Sequence, residues 1–198
     1  MTTTAPARHP VWRKATTDGY VTTADTARLI RDALGAKFPG VKFYVRSHMY
    51  AGGSSIHVYY DGLDHYAPMT HCYCTDGPDP DLPHSPNYCR RCGYMARLDP
   101  VYKDGAPAKS AVDAVAATYA GGRFDGMIDM AYSVKSWLNP DGSATYGSSS
   151  GTTGSMGVDP AYSNPRPDPG AVMVRFGADY VFVDDTLPYD VARKRGAA

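Results

Sequence analysis

The chain has 198 residues, with 20 Lys and Arg balanced by 20 acidic residues, and every acid is Asp, because Glu and Gln are absent. That absence excludes chemistry built on a Glu, including the HExxH metalloproteases and the zinc nucleobase deaminases, whose proton-transfer group is a Glu. With 43% hydrophobic residues, 20 Gly and 16 Pro, the composition predicts a single loop-rich domain of mixed secondary structure over 1–198 rather than a helical bundle.

Residues 1–20 read as a flexible arm, in which Val11, Trp12 and Tyr20 are able to reach a core. Thr22-Thr-Ala-Asp25 is a capping box with Asp in place of Glu, and it opens a helix. Ala27, Ile30, Leu34 and Phe38 recur on one stripe of that helix, and Phe38-Pro39-Gly40 ends it. Val41, Phe43 and Val45 then alternate with Lys42, Tyr44 and Arg46, and Ile56, Val58 and Tyr60 alternate with His57 and Tyr59. With the Gly-containing turn 48–55 between them, these segments predict a hairpin. Its apolar face would lie on the helix, and its other face would show Lys42, Tyr44, Arg46, His57 and Tyr59.

Residues 61–107 hold all four Cys, many Pro and Asp, and no periodicity, which marks an insertion organised by something other than a core. A second helix follows, opened by the capping box Ser110-Ala-Val-Asp113 and striped by Val112, Val115, Ala116 and Tyr119. Gly121-Gly122 closes it, and Phe124-Asp-Gly-Met127 leads into a strand over 131–138. Residues 139–170 are rich in Gly, Ser, Thr and Pro and read as a long surface loop. The segments 171–176 and 180–183, joined by Gly177-Ala-Asp179, predict a hairpin over 171–185. The expected fold class is α+β, in the order α-β-β-(zinc insertion)-α-β, with the C-terminal β-hairpin joining the sheet.

Cys72-x-Cys74 and Cys89-x-x-Cys92 form two short pairs around a loop, the layout of a four-thiolate zinc site. Each pair supplies two tetrahedral corners, and Gly93 lets the chain turn at the metal. His71 or His84 would be able to replace one thiolate. The role expected of the zinc is structural, because a closed thiolate set leaves no position for a catalytic water. Two disulfides, reactive cysteines or an iron–sulfur cluster are the alternatives. The opening Met1-Thr-Thr-Thr-Ala-Pro lacks the character of a secretory leader, and no apolar run has the roughly 18 residues of a membrane span. The expectation is therefore a cytoplasmic protein without a membrane partner.

The pieces Thr26-Ala-Arg-Leu-Ile-Arg-Asp-Ala-Leu34, Phe38-Pro-Gly-Val-Lys-Phe-Tyr-Val-Arg-Ser47, Gly52-Gly-Ser-Ser-Ile56 and Tyr119-Ala-Gly-Gly-Arg-Phe-Asp-Gly-Met-Ile-Asp129 carry a family resemblance. In this order they resemble large polyvalent protein-associated domain 29, over about residues 22–62 and 108–131. The resemblance implies an accessory protein of a phage or mobile element, acting inside a bacterial cell. It supplies no catalytic residues.

Three functions follow from the residues. The first is a non-enzymatic module that binds nucleic acid, with Lys42, Arg46, Arg28 and Arg31 for phosphates and Tyr44, His57 and Tyr59 for stacking on bases. Lys37 would extend that surface, and the first 60 residues carry eight Lys or Arg against three Asp. The second is a protein that binds and inhibits a host defence or regulatory factor, for which 16 Tyr supply recognition surface. The third is a hydrolase using Asp125 and Asp129 with His48 or His57. No phosphate-binding loop, nucleophile elbow or dinucleotide fingerprint occurs in the sequence, so the balance falls against an enzyme.

Overall fold

A computed structural model describes residues 8–68, 98–125, 130–151 and 164–196. The chain begins its described part with helix α1 (Pro10–Asp18). Pro10 occupies the first turn, where no N–H is required, and the His9 ring accepts the Val11 N–H at 3.2 Å. Gly19 ends the helix in the left-handed conformation, φ 62°. Val11, Trp12 and Ala15 are buried. Within the arm expected over 1–20, residues 10–18 are thus helical and docked by three apolar residues on one face, while residues 1–7 lie outside the described residues.

After β1 (Tyr20–Val21), α2 runs over Thr23–Lys37. The Thr22 hydroxyl accepts the Asp25 N–H at 3.2 Å and donates to the Asp25 carboxylate at 2.9 Å. The capping box thus forms, with the shorter Asp bonding the hydroxyl rather than the backbone. Ile30 and Leu34 are completely buried.

The predicted hairpin is present as β2 (Tyr44–Tyr50) and β3 (Gly53–Tyr59). Its turn is tighter than 48–55, with Gly52 at φ 93° and Tyr50 opposite Gly53. The strands β4 (Leu63–Pro68) and β5 (Leu98–Tyr102) pair antiparallel at the base of the Cys-bearing insertion and set Pro68 opposite Leu98. Helix α3 covers Lys109–Ala116 and continues as a single 3-10 turn to Tyr119. It starts two residues earlier than a Ser110 cap requires. Its cap is Ala108, with no side-chain bond, and Asp113 pairs instead with Lys109 at 2.7 Å.

The second sheet is centred on β7 (Met130–Leu138). Strand β8 (Ala144–Gly151) lies along one edge of β7, while β6 (Gly122–Asp125) and β9 (Val172–Phe176) share the other. Strand β1 adds parallel to β9. Residues 144–151 therefore depart from the surface loop expected over 139–170. A Gly/Ser run needs little apolar surface to act as a strand when its neighbour supplies the backbone partners.

The C-terminal hairpin is a further correction. Strands β9 and β10 (Tyr180–Asp184) do not pair with each other. Strand β10 runs parallel to β3, giving a three-stranded sheet in the order β10-β3-β2. The turn between them crosses from one sheet to the other: Gly177 N–H donates to Val21 and Asp179 N–H to Ser54, at 2.7 and 2.8 Å. Ser54 anchors this seam, donating its hydroxyl to the Gly177 carbonyl at 2.7 Å. Both sheets share one core in which Ile30, Leu34, Ile56, Val58, Tyr60, Val112, Val174 and Phe176 are at most 1% exposed. The last element is α4 (Tyr189–Gly196).

Candidate nucleic-acid interface

Period-two alternation divides the sheet β10-β3-β2 cleanly. Val45, Val58 and Val183 lie side by side, as do Ser47, Ile56 and Val181. This face meets the helices, and Ile56 and Val58 are fully buried. Burial of each such side chain contributes about 1.5–3 kcal/mol, which fixes the register and therefore what the opposite face displays.

The opposite face carries three rows. Arg46, His57 and Phe182 form the first, Tyr44, Tyr59 and Asp184 the second, and His48, Ser55 and Tyr180 the third. The rings form a connected group: His57 lies 4.9 Å from Phe182, 5.0 Å from His48 and 6.0 Å from Tyr59, and Tyr180 lies 6.2 Å from Phe182. Phe182 keeps 48% of its surface exposed. The cations sit over rings, with Lys42 Nζ 5.2 Å from the Tyr44 centroid and Arg46 Cζ 6.0 Å from that of Tyr59.

One contact ties this face to the C-terminal helix. Arg46 donates two hydrogen bonds to the Asp190 carboxylate, at 2.7 and 3.2 Å. Those bonds raise the Arg46 pKa and hold the Asp190 carboxyl below the ordinary carboxylate range. Partial burial, and then the neighbouring His48, lower the His57 pKa, so the ring is biased to the neutral, stacking form.

The structure brings together Tyr44, Arg46, His57 and Tyr59, with Lys42 at their edge. Arg28 and Arg31 belong instead to the helical layer on the other side of the sheet. Arg28 is exposed there, and Arg31 donates to the Val45 carbonyl of the edge strand at 3.3 Å. Sequence reasoning missed Tyr180, Phe182 and Asp190. The alternation of Tyr180-Val-Phe-Val183 placed two aromatics on one face, but nothing local named the sheet that β10 would join.

The remaining site residues are less informative. His48 and His57 are neighbours on the sheet face. Asp125 is the last residue of β6, and Asp129 lies outside the described residues. Cys72, Cys74, Cys89, Cys92, His71 and His84 also lie outside them. Among the described residues no cluster of three or more His, Cys or Asp is placed to hold a metal ion.

A larger cleft, about 530 Å³, opens between α2, α3 and the turn after β7. Its lining includes Leu29, Ala33 and Val115, and several of its polar groups bond to one another or to the local backbone. His9 pairs with Asp32 at 3.1 Å, and Asp141 accepts from the Ser143 backbone and hydroxyl at 2.9 and 2.7 Å.

Fold and face together define an α+β protein that backs a three-stranded sheet with helices and exposes an aromatic, partly cationic surface. Residues 21–73 match the family described as large polyvalent protein associated domain 29. The match covers α2, β2, β3 and β4, and so includes most of this surface. It suggests a protein associated with a phage or mobile element. The segment 108–131, part of the resemblance seen in the sequence, falls outside the matched residues. No curated protein and no solved structure matches the chain. Among the described residues no helix is long and apolar enough to cross a membrane.

Proposed function

We propose that the chain is a non-enzymatic module that binds single-stranded nucleic acid on the open face of β10-β3-β2. The observation that carries this reading is the clustering of His57, Tyr59, Tyr180 and Phe182 beside Arg46 and Lys42 on one sheet face whose reverse is sealed by the core. Bases stack on such rings with little sequence preference, and cations at the margin meet the phosphates. An open three-strand face lined with rings suits unstacked bases better than a duplex, whose bases are already stacked on each other. We further propose that Cys72, Cys74, Cys89 and Cys92 hold a structural zinc. Its free energy of binding would fold an insertion whose sequence shows no apolar periodicity of its own.

The test is titration of a labelled single-stranded oligonucleotide into the zinc-loaded protein at low ionic strength. Binding that weakens as salt rises, and weakens further in Lys42→Glu and Arg46→Glu, is the expected result. Absence of salt-sensitive binding contradicts the proposal. One observation favours the second reading, a protein-binding inhibitor: Met49, 78% exposed near the hairpin tip, is a residue type suited to a protein interface. Specific capture of a host protein that is lost in Met49→Asp, with no oligonucleotide binding, would support that alternative.

A further inference from the structure

The open sheet face does not end at its last row. Tyr180, at the start of β10, also lines a smaller pocket of about 250 Å³ at the seam where the two larger sheets meet. Tyr50 from the end of β2 stands at one side, Tyr132 and Ser133 of β7 at another, and Arg175 and Asp179 complete it. Its remaining wall is bare backbone. A Cβ on Gly121 would come within 1.9 Å of the Phe176 carbonyl oxygen, and one on Gly122 within 2.9 Å of that of Asp179. Glycine is needed at both positions for the strands to approach, and its use leaves that wall without side chains.

The polar groups of the pocket are arranged for a ligand edge. Asp179 accepts the Ser54 N–H through one carboxylate oxygen at 3.1 Å. Its other oxygen lies 3.5 Å from the Arg175 guanidinium, the outer limit of a hydrogen bond. A fixed acceptor and a half-exposed fork of donors therefore stand side by side at the mouth. Arg and Asp are side chains that read the hydrogen-bonding edges of bases, and Tyr rings stack on their faces. The volume is below the range of drug-sized sites and suits one ring system with its sugar.

We infer that this seam pocket takes a single nucleobase, stacked against Tyr50 or Tyr180 and bonded along its edge by Arg175 and Asp179. The inference deepens the proposed function, on which it rests: the strand lying on the sheet face would place one base, at the Tyr180 end, into the pocket. That position would have a base preference which the open face lacks.

The experiment has two arms. In the first, the four nucleoside 5′-monophosphates are titrated separately and backbone amide resonances are followed. Shifts at Gly121, Gly122 and Ser133, larger for one base than for the others, are expected. Shifts confined to the sheet face, at His57 and Phe182, overturn the pocket. In the second arm, oligonucleotide affinity is compared for Tyr50→Ala, Tyr50→Phe, Arg175→Gln and Phe182→Ala, each with a melting curve. Tyr50→Ala and Arg175→Gln should weaken binding about fivefold or more, and Tyr50→Phe should not, because it keeps the stacking ring. If only Phe182→Ala weakens binding, the pocket is wrong and the sheet face stands. If the native chain binds no oligonucleotide or monophosphate, both readings fall.

Discussion

Replacing Phe182 with Ala separates packing from binding. Val181 and Val183, the neighbours of Phe182 on β10, turn toward the core, whereas Phe182 stands on the open face with 48% of its surface exposed. A fully buried Phe contributes about 1.5–3 kcal/mol, so removal of this half-covered ring should cost about 1 kcal/mol of stability. It also leaves the core untouched. Binding should suffer more. A base stacked on an aromatic ring is worth about 1–3 kcal/mol by alanine substitution, and about 1.4 kcal/mol is a factor of ten, so affinity should fall about 5- to 150-fold. Fluorescence anisotropy of a labelled single-stranded oligonucleotide reads this directly, with thermal melting to verify folding. Tyr66→Ala is the control, since that ring is 53% exposed but sits on β4 in a different sheet. A folded Phe182→Ala protein with native affinity would refute the reasoning.

Asp190→Asn releases Arg46 from its two-bond partner. Oligonucleotide binding should tighten and depend more steeply on salt, as measured by anisotropy over a salt series. Lowered affinity would show that Asp190 holds Arg46 in its binding position. The pH dependence of stability follows from His57, whose folded pKa lies below its ordinary value. Below the unfolded pKa of about 6.5 the unfolded chain takes up a proton that the folded chain resists. Stability should therefore fall as pH drops from 7, level off below the folded pKa, and fall less in His57→Gln, as followed by melting at stepped pH. Metal analysis should find about one zinc per chain, removed by Cys72→Ser or Cys89→Ser, and metal-free protein with its cysteines in disulfides would contradict the site. Ile56→Ala, at a fully buried position between the helices and the sheet, should destabilise the fold by about 2–5 kcal/mol in urea unfolding.

Local signals made parts of this architecture readable from sequence. The Thr22 cap and the Ala27-Ile30-Leu34 stripe define α2, and alternation over 41–60 gives both the hairpin and the residues on its outer face. Those signals depend only on neighbours a few residues apart. The partner of β10 depends on Val181 and Val183 meeting a core built much earlier in the chain, and a segment ending in Gly177-Ala-Asp179 reads equally well as half of a hairpin. Ser54 and Asp179, which turn the chain from one sheet into the other, are small polar residues without a distinctive pattern. Helix α1 was hidden for a related reason. Its cap is a His rather than Ser, Thr, Asp or Asn, and its apolar face is only one turn long. The missing Glu was informative in a different way. It removed whole classes of catalyst, and it left Asp to serve as cap partner at Asp25, as anchor at Asp179 and as the carboxylate that holds Arg46 at Asp190.

The most direct test of the binding surface is amide-resolved titration of the zinc-loaded chain with a short single-stranded oligonucleotide at low salt. The account predicts shifts at Tyr44, Arg46, His57, Tyr59, Tyr180 and Phe182, continuing into the adjoining seam at Gly121, Gly122 and Ser133, and fading as salt is added. Shifts gathered instead on the exposed side of α2, or none at all, would contradict it.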